Sequence, residues 1–150
     1  MREIKFRAWD ADSEYMFYSD KPEDEYFFEF NIDGKFKAFV IRYDGFVGTI
    51  YEPPQPEVEE LHDIMQFTNL KDSKGVEIYE GDVVKINAGY GGDHFYKECI
   101  AEIKYDAPGF YPHNLNDEDG VVWQDDCYHF KSFEIIGNIY EQPELLPGKE

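Results

Sequence analysis

Positive charge is scarce in this chain. Lysine and arginine number 14 against 33 aspartates and glutamates, a formal net charge of −19. Such a field repels phosphate backbones and anionic headgroups, which counts against direct binding to DNA, RNA or acidic membranes. Long apolar runs are also missing: none approaches the roughly 18 residues of a membrane-crossing helix. Arg2, Glu3, Lys5 and Arg7 place charge where a secretion signal needs an apolar core, so the expected location is the cytoplasm. Cysteine is down to Cys99 and Cys127. They form no Cys-x-x-Cys pair, and in a reducing compartment they are expected as partly buried thiols. His129 stands near Cys127, but a structural zinc needs four ligands at a recognisable spacing.

Aromatic residues are abundant. The chain has 13 phenylalanines and 12 tyrosines, and 42% of its residues are hydrophobic. That suffices for a core, and 150 residues suit one domain, or a small domain with an extension.

The stretch around which the rest is organised is Met65 to Ile86. Met65, Phe67 and Leu70 alternate with polar residues, as in an extended segment. Lys71-Asp72-Ser73-Lys74-Gly75 is a turn, because Asp and Ser bond their own backbone and Gly accepts a positive φ. Ile78 and Tyr79 follow, then Glu80-Gly81-Asp82. Val83-Val84-Lys85-Ile86 is β-branched and short, which favours a strand. Gly81, directly before that strand, suggests a special backbone angle or close packing.

These residues resemble the YopX family of phage and prophage proteins. The likeness runs through Met65-Gln66-Phe67-Thr68-Asn69-Leu70-Lys71-Asp72 and Glu77-Ile78-Tyr79-Glu80-Gly81-Asp82-Val83-Val84. Phe67 stands where the family has Tyr. Asn69 stands where it has Gly and still permits a left-handed backbone. The start, Met1 to Asp10, and the end, Ile135 to Glu141 with Pro143 to Leu146, are similar too. The resemblance implies an all-β fold with an SH3-like barrel, a location in a bacterial host, and no established activity.

The expected layout is an N-terminal β-hairpin region at 1–52, packed on or completing the barrel, a Pro-rich linker or short helix at 53–63, an SH3-like barrel at 64–142 and a tail at 143–150. Ile4, Phe6 and Ala8 alternate as a strand, Asp10 to Ser13 turn, and Tyr15 to Tyr18 return. Lys21 to Glu25 is a loop, and strands are expected near 27–32 and 36–43. Asp44-Gly45 signals a hairpin between Ala38–Tyr43 and Phe46–Tyr51. Glu57 to Asp63 fits a short helix and an extended segment equally. Asn87 to Asp93 is expected as a loop, Cys99 to Tyr105 as a strand, and Ala107 to Gly120 as a mobile loop. Val121 to Trp123 and Glu134 to Tyr140 are the remaining strands.

Candidate chemistry is thin. His94 follows Asp93, and His113 precedes Asp117, Glu118 and Asp119, but neither order matches a metal motif. Ser13, Ser19, Ser73 and Ser132 lack a nucleophile-elbow context. Gly89, Gly91 and Gly92 lack the Lys-Ser/Thr ending and the helix of a phosphate loop. Tyr26-Phe27-Phe28 with Phe30 suits a core or interface better than a base-stacking platform. No catalytic, cofactor-binding or metal-ligating residue is therefore assigned, and no cofactor is expected. The expected role is a non-catalytic protein-interaction module, its partner another protein or a second copy. The alternative is an acidic mimic of nucleic acid that blocks a host DNA-binding protein. An unrecognised hydrolase ranks last.

Overall fold

The structure, a computed structural model, describes residues 3–43, 56–90, 95–115 and 133–147. The chain is all-β: among the described residues there is no α-helix, and one 3-10 turn, Pro143–Leu145, follows the last strand. By its contacts the chain divides into two units, Lys5–Met65 and Met1–Ile4 with Gln66–Glu150.

In the first unit, β1 (Phe6–Asp10) and β2 (Tyr15–Tyr18) pair antiparallel, with Asp10 opposite Tyr15. A second sheet has the order β3 (Tyr26–Phe30), β4 (Phe36–Tyr43), β5 (Pro56–Leu61), all antiparallel. At the β3–β4 turn, Asn31 Oδ1 accepts the Asp33 N–H at 2.9 Å, and Gly34 turns the chain at φ +74°. Alternation sends Ala38 and Val40 inward, where they meet Ala8, Phe17 and Leu61, with Tyr26, Phe28 and Ile64 packed around them.

Residues 57–61 are strand, not helix. A helix would bring Glu57 and Glu60 together, one turn apart, without cations to offset them. In the sheet, Arg42 holds Glu59 and Lys37 holds Glu60, at 2.5 and 2.7 Å. The hairpin expected at Asp44-Gly45, its second strand at 46–51, and Pro53-Pro54 lie outside the described residues.

The sixth strand, β6 (Asp63–Lys71), begins in the first unit and runs on into the second. There follow β7 (Glu77–Tyr79), β8 (Asp82–Tyr90), β9 (Phe95–Asp106), β10 (Gly109–Asn114) and β11 (Phe133–Asn138). The last four form an antiparallel sheet of order β10-β9-β8-β11. Its core is Ile78, Val84, Ile86, Cys99, Ala101, Ile103 and Phe133, with Leu70, Phe110 and Ile135 against it. Cys99 is buried; Cys127 lies outside the described residues.

Two expected loops are corrected. Residues 87–90 continue β8 and pair with β9, Asn87 opposite Glu98 and Tyr90 opposite Phe95. Glycine weakens a strand but does not end one whose backbone groups have a partner strand. Residues 109–114 form β10, not a mobile loop. Asp106 pairs with Gly109, so Ala107-Pro108 is a two-residue connection. Pro112 is tolerated because, among the described residues, β10 is the sheet's edge and no strand on its outer side calls for an N–H there. The last strand also stops at Asn138, short of Tyr140, for a reason given below. Val121 to Trp123 lies outside the described residues.

Candidate functional site

Among the described residues of the first unit the most buried charge is Asp10, at the end of β1. Its side chain is 1% exposed and meets Arg42 Nη2 at 2.7 Å. Ser13 Oγ donates to it at 2.6 Å, Tyr26 Oη at 3.2 Å and the Asp12 N–H at 3.1 Å. Arg42 also reaches Glu59, and it lies 3.4 Å from Asp12. Burial pushes the Asp10 carboxyl up, but the Arg42 bond, the Ser13 and Asp12 donors and the Arg42 charge outweigh it, leaving a pKa of about 2. Arg42 is raised beyond its ordinary value by its bonds to Asp10 and Glu59. Burial raises Tyr26 as well, and the nearby Asp10 charge adds to that. At neutral pH the cluster is an ionised pair with a protonated phenol. It fastens the β1–β2 turn to β3, β4 and β5. Ser13 gives its proton to a weakly basic carboxylate, which does not activate it as a nucleophile.

In the second unit the polar side chains of the organising stretch bind backbone. Asp72 Oδ1 accepts the N–H groups of Lys74 and Val76, both at 2.9 Å, and its Oδ2 accepts that of Ile135 at 3.2 Å. The Ser73 N–H donates to the Phe133 carbonyl at 2.8 Å. The turn at 72–76 is thus bolted to β11. Burial raises the Asp72 carboxyl, and the three backbone donors bring it below its ordinary value. Asp82 Oδ2 accepts the Tyr79 N–H at 2.7 Å.

The Glu80-Gly81-Asp82 turn is a joint between distant strands. Glu80 N–H donates to Gln66, Gly81 N–H donates to Ile103, and Ile139 N–H donates to Gly81, at 3.0, 2.8 and 3.0 Å. Gly81 has φ +80°, as its position before the strand suggests. Asn69 has φ +67°, the left-handed angle that its place in the motif allows. Asn138 Oδ1 accepts the N–H groups of Tyr140 and Glu141, at 3.0 and 2.9 Å, and its amide donates to Glu141. That capture turns the chain and ends β11. Beside it, a Cβ on Gly137 would lie 2.6 Å from Gln142 Oε1 and 2.7 Å from a Leu145 methyl, so glycine lets the tail dock.

One cleft, of ≈ 320 Å³, opens beside this joint, lined by Gln66, Glu80, Tyr105, Pro108 and Phe110. Tyr105 is 54% exposed. Its ring meets Phe110 edge-on, with centroids 5.3 Å apart at 65°. None of these five stands out as a site in the sequence, because they come from three separated stretches. The only local trace is the aromatic, proline, aromatic run Tyr105, Pro108, Phe110.

The serines, histidines and glycines weighed from the sequence do not converge. Ser13 joins the Asp10 cluster, Ser19 Oγ accepts the Phe6 N–H, and Ser73 belongs to the Asp72 turn. His113 lies in β10 and Gly89 in β8. His94, Asp117, Glu118, Asp119, Gly91, Gly92, His129 and Ser132 lie outside the described residues. Among the described residues no three His, Cys, Asp or Glu side chains group as metal ligands do.

The signature residues therefore sit at turns and joints of an all-β chain. The family model described as YopX protein matches residues 5–147. The chain belongs to the YopX family. A solved structure, the crystal structure of protein EF1440 from Enterococcus faecalis, is similar over 97% of this chain and 99% of its own, with 28% identity and a TM-score of 0.53. No curated protein matches. In this YopX chain, Asp72, Gly81 and Asp82 hold backbone in place, which accounts for their residue types without a ligand.

Proposed function

We propose that this YopX chain is a non-catalytic protein-interaction module of phage or prophage origin, acting in the cytoplasm of a bacterial host. In this reading its second unit is an SH3-like barrel, and the first unit supplies a surface for another protein or a second copy. The observation that carries it is the face of the β3-β4-β5 sheet opposite the core. Phe27 stacks on Phe39, with centroids 5.1 Å apart at 19°. Ile41 lies opposite Val58, which is 59% exposed. Phe30 and Ile32, at the β3–β4 tip, are 74% and 103% exposed. Apolar side chains gathered on one sheet and its tip favour a protein partner. The Asp10 cluster supports the non-catalytic part, since each of its charges is satisfied within the unit.

Light scattering coupled to size exclusion tests the reading. The expected result is association that Phe39→Ser weakens while the melting temperature holds. A monomer for both proteins, together with no partner retained from host lysate at physiological salt, overturns it.

The second reading is an acidic mimic of nucleic acid, favoured by the charge of −19. Two of the carboxylates on β5, Glu59 and Glu60, are already held by Arg42 and Lys37, which weakens that strand as a phosphate-like row. A mimic's binding to a DNA-binding protein collapses as salt rises, whereas apolar docking survives.

A further inference from the structure

We propose that the outer edge of β3 docks an extended segment of a partner protein in which a basic residue, an apolar residue and a second basic residue alternate. The site rests on the reading of this sheet as a protein-binding surface, and the chemistry of the edge selects the partner. Among the described residues β3 is an edge of its sheet. The Ile41 N–H donates to the Glu25 carbonyl at 2.7 Å, and the Asn31 N–H donates to the Lys35 carbonyl at 2.8 Å. The odd-numbered residues along β3 therefore turn their backbone groups to β4. Those of Tyr26, Phe28 and Phe30 point the other way, where no described strand takes them. Such a row is a template for an added strand.

The side chains along the edge set what fits. Tyr26 and Phe28 pack inward, so alternation puts Glu25, Phe27 and Glu29 on the opposite face. Both carboxylates are exposed and stand about 13 Å apart, with Phe27 between them. Glu29 lies opposite Lys37, but Lys37 is turned to Glu60 at 2.7 Å. Glu25 lies beside Ile41, which brings no charge. Among the described residues no cation or donor holds either carboxylate. A strand laid against β3 sets its own residues directly across from these three. Cations opposite the carboxylates and an apolar side chain opposite Phe27 are favourable pairs. The apolar one also extends the Phe27–Phe39 stack. A second copy fits this edge poorly. Two β3 strands paired antiparallel about Phe27 set Glu25 of each against Glu29 of the other, and like charges across a ladder repel. The charge of −19 likewise disfavours an acidic segment.

The probe is the capped peptide Thr-Lys-Thr-Val-Thr-Lys-Thr, compared with one N-methylated at its third and fifth residues. N-methylation keeps the side chains and removes the N–H groups that face β3. Titration into the full chain is followed by amide NMR shifts and hydrogen exchange. The first peptide is expected to shift Tyr26, Phe28 and Phe30 saturably and to slow their exchange, and the N-methylated one is not. Glu25→Gln and Glu29→Gln, both at exposed positions, are each expected to weaken binding by about two- to fivefold with the melting temperature unchanged. Equal binding of the N-methylated peptide overturns the edge site. So do shifts that neither glutamine variant weakens, which would mark general charge attraction, and so does an absence of shifts at millimolar peptide. The sheet face is judged apart from this, by Phe39→Ser in light scattering. Association lost in that variant keeps the face as a protein surface even where one of the three results above removes the edge site.

Discussion

Gly81 and Asp10 show how much a single residue settles here. At φ +80°, Gly81 occupies backbone space that a β-branched side chain enters only under strain. Gly81→Val is expected to cost on the order of 1–3 kcal/mol, read as a lower melting temperature by circular dichroism. An unchanged melting temperature would remove the argument. Asp10 carries the pH dependence. Its folded pKa of about 2 lies below the ordinary 3.8, so its contribution is complete above the unfolded value and fades as pH falls from 3.8 towards 2. The expected size is about 2 kcal/mol. Urea unfolding of the chain and of Asp10→Asn from pH 7 to pH 2 checks it: the gap between them should narrow below about pH 4. A gap independent of pH would mean that Asp10 is not ionised in the folded chain.

At the next scale, the 72–76 turn behaves as a bolt between β7 and β11. Removing its carboxylate with Asp72→Ala strands three N–H groups, at an expected cost of about 1–3 kcal/mol. Asp72→Asn keeps one acceptor oxygen and should recover part of that. Hydrogen exchange at the Ile135 amide separates bolt from local turn, since only the bolt protects a residue so far along the chain. The turn itself was legible from Asp72, Ser73 and Gly75, because its bonds are local. The special angle at Gly81 was legible from its position before a strand, whereas the left-handed Asn69 was legible only through the family resemblance, which has Gly at its place. The bond from Asp72 to Ile135 was not, since a side chain reaching across the fold leaves no spacing in the sequence. Arg42 with Asp10 is the same case. Elements failed where one residue type carried two meanings. Pro112 and the glycines of 87–92 announce loops, yet an edge position admits the one and a paired ribbon absorbs Gly89. Glu57 to Asp63 stayed open because a period of 3.6 and a period of 2 both fit so short a run. What excludes the helix is the pair of cations on β4.

For the whole molecule, charge and aromatic surface pull in opposite directions. Burying apolar area contributes roughly 25 cal/mol per Å², while like charge repels most at low salt. Association is therefore expected to strengthen between low and physiological ionic strength, and light scattering at the two strengths measures it. Weaker association with added salt would point to ion pairing between copies instead. The joint at the Glu80–Asp82 turn, finally, sets a schedule. Its partners are Gln66, Ile103 and Ile139, and Asp72 waits for Ile135. During synthesis the second unit holds β8 and β9 without β11 until Phe133–Asn138 has left the ribosome. A ribosome paused before Phe133 leaves the Asp82–Ile86 stretch of β8 without the strand that covers it, an edge open to any passing strand, so the pace of translation over residues 133–138 bears on whether the protein folds or clumps.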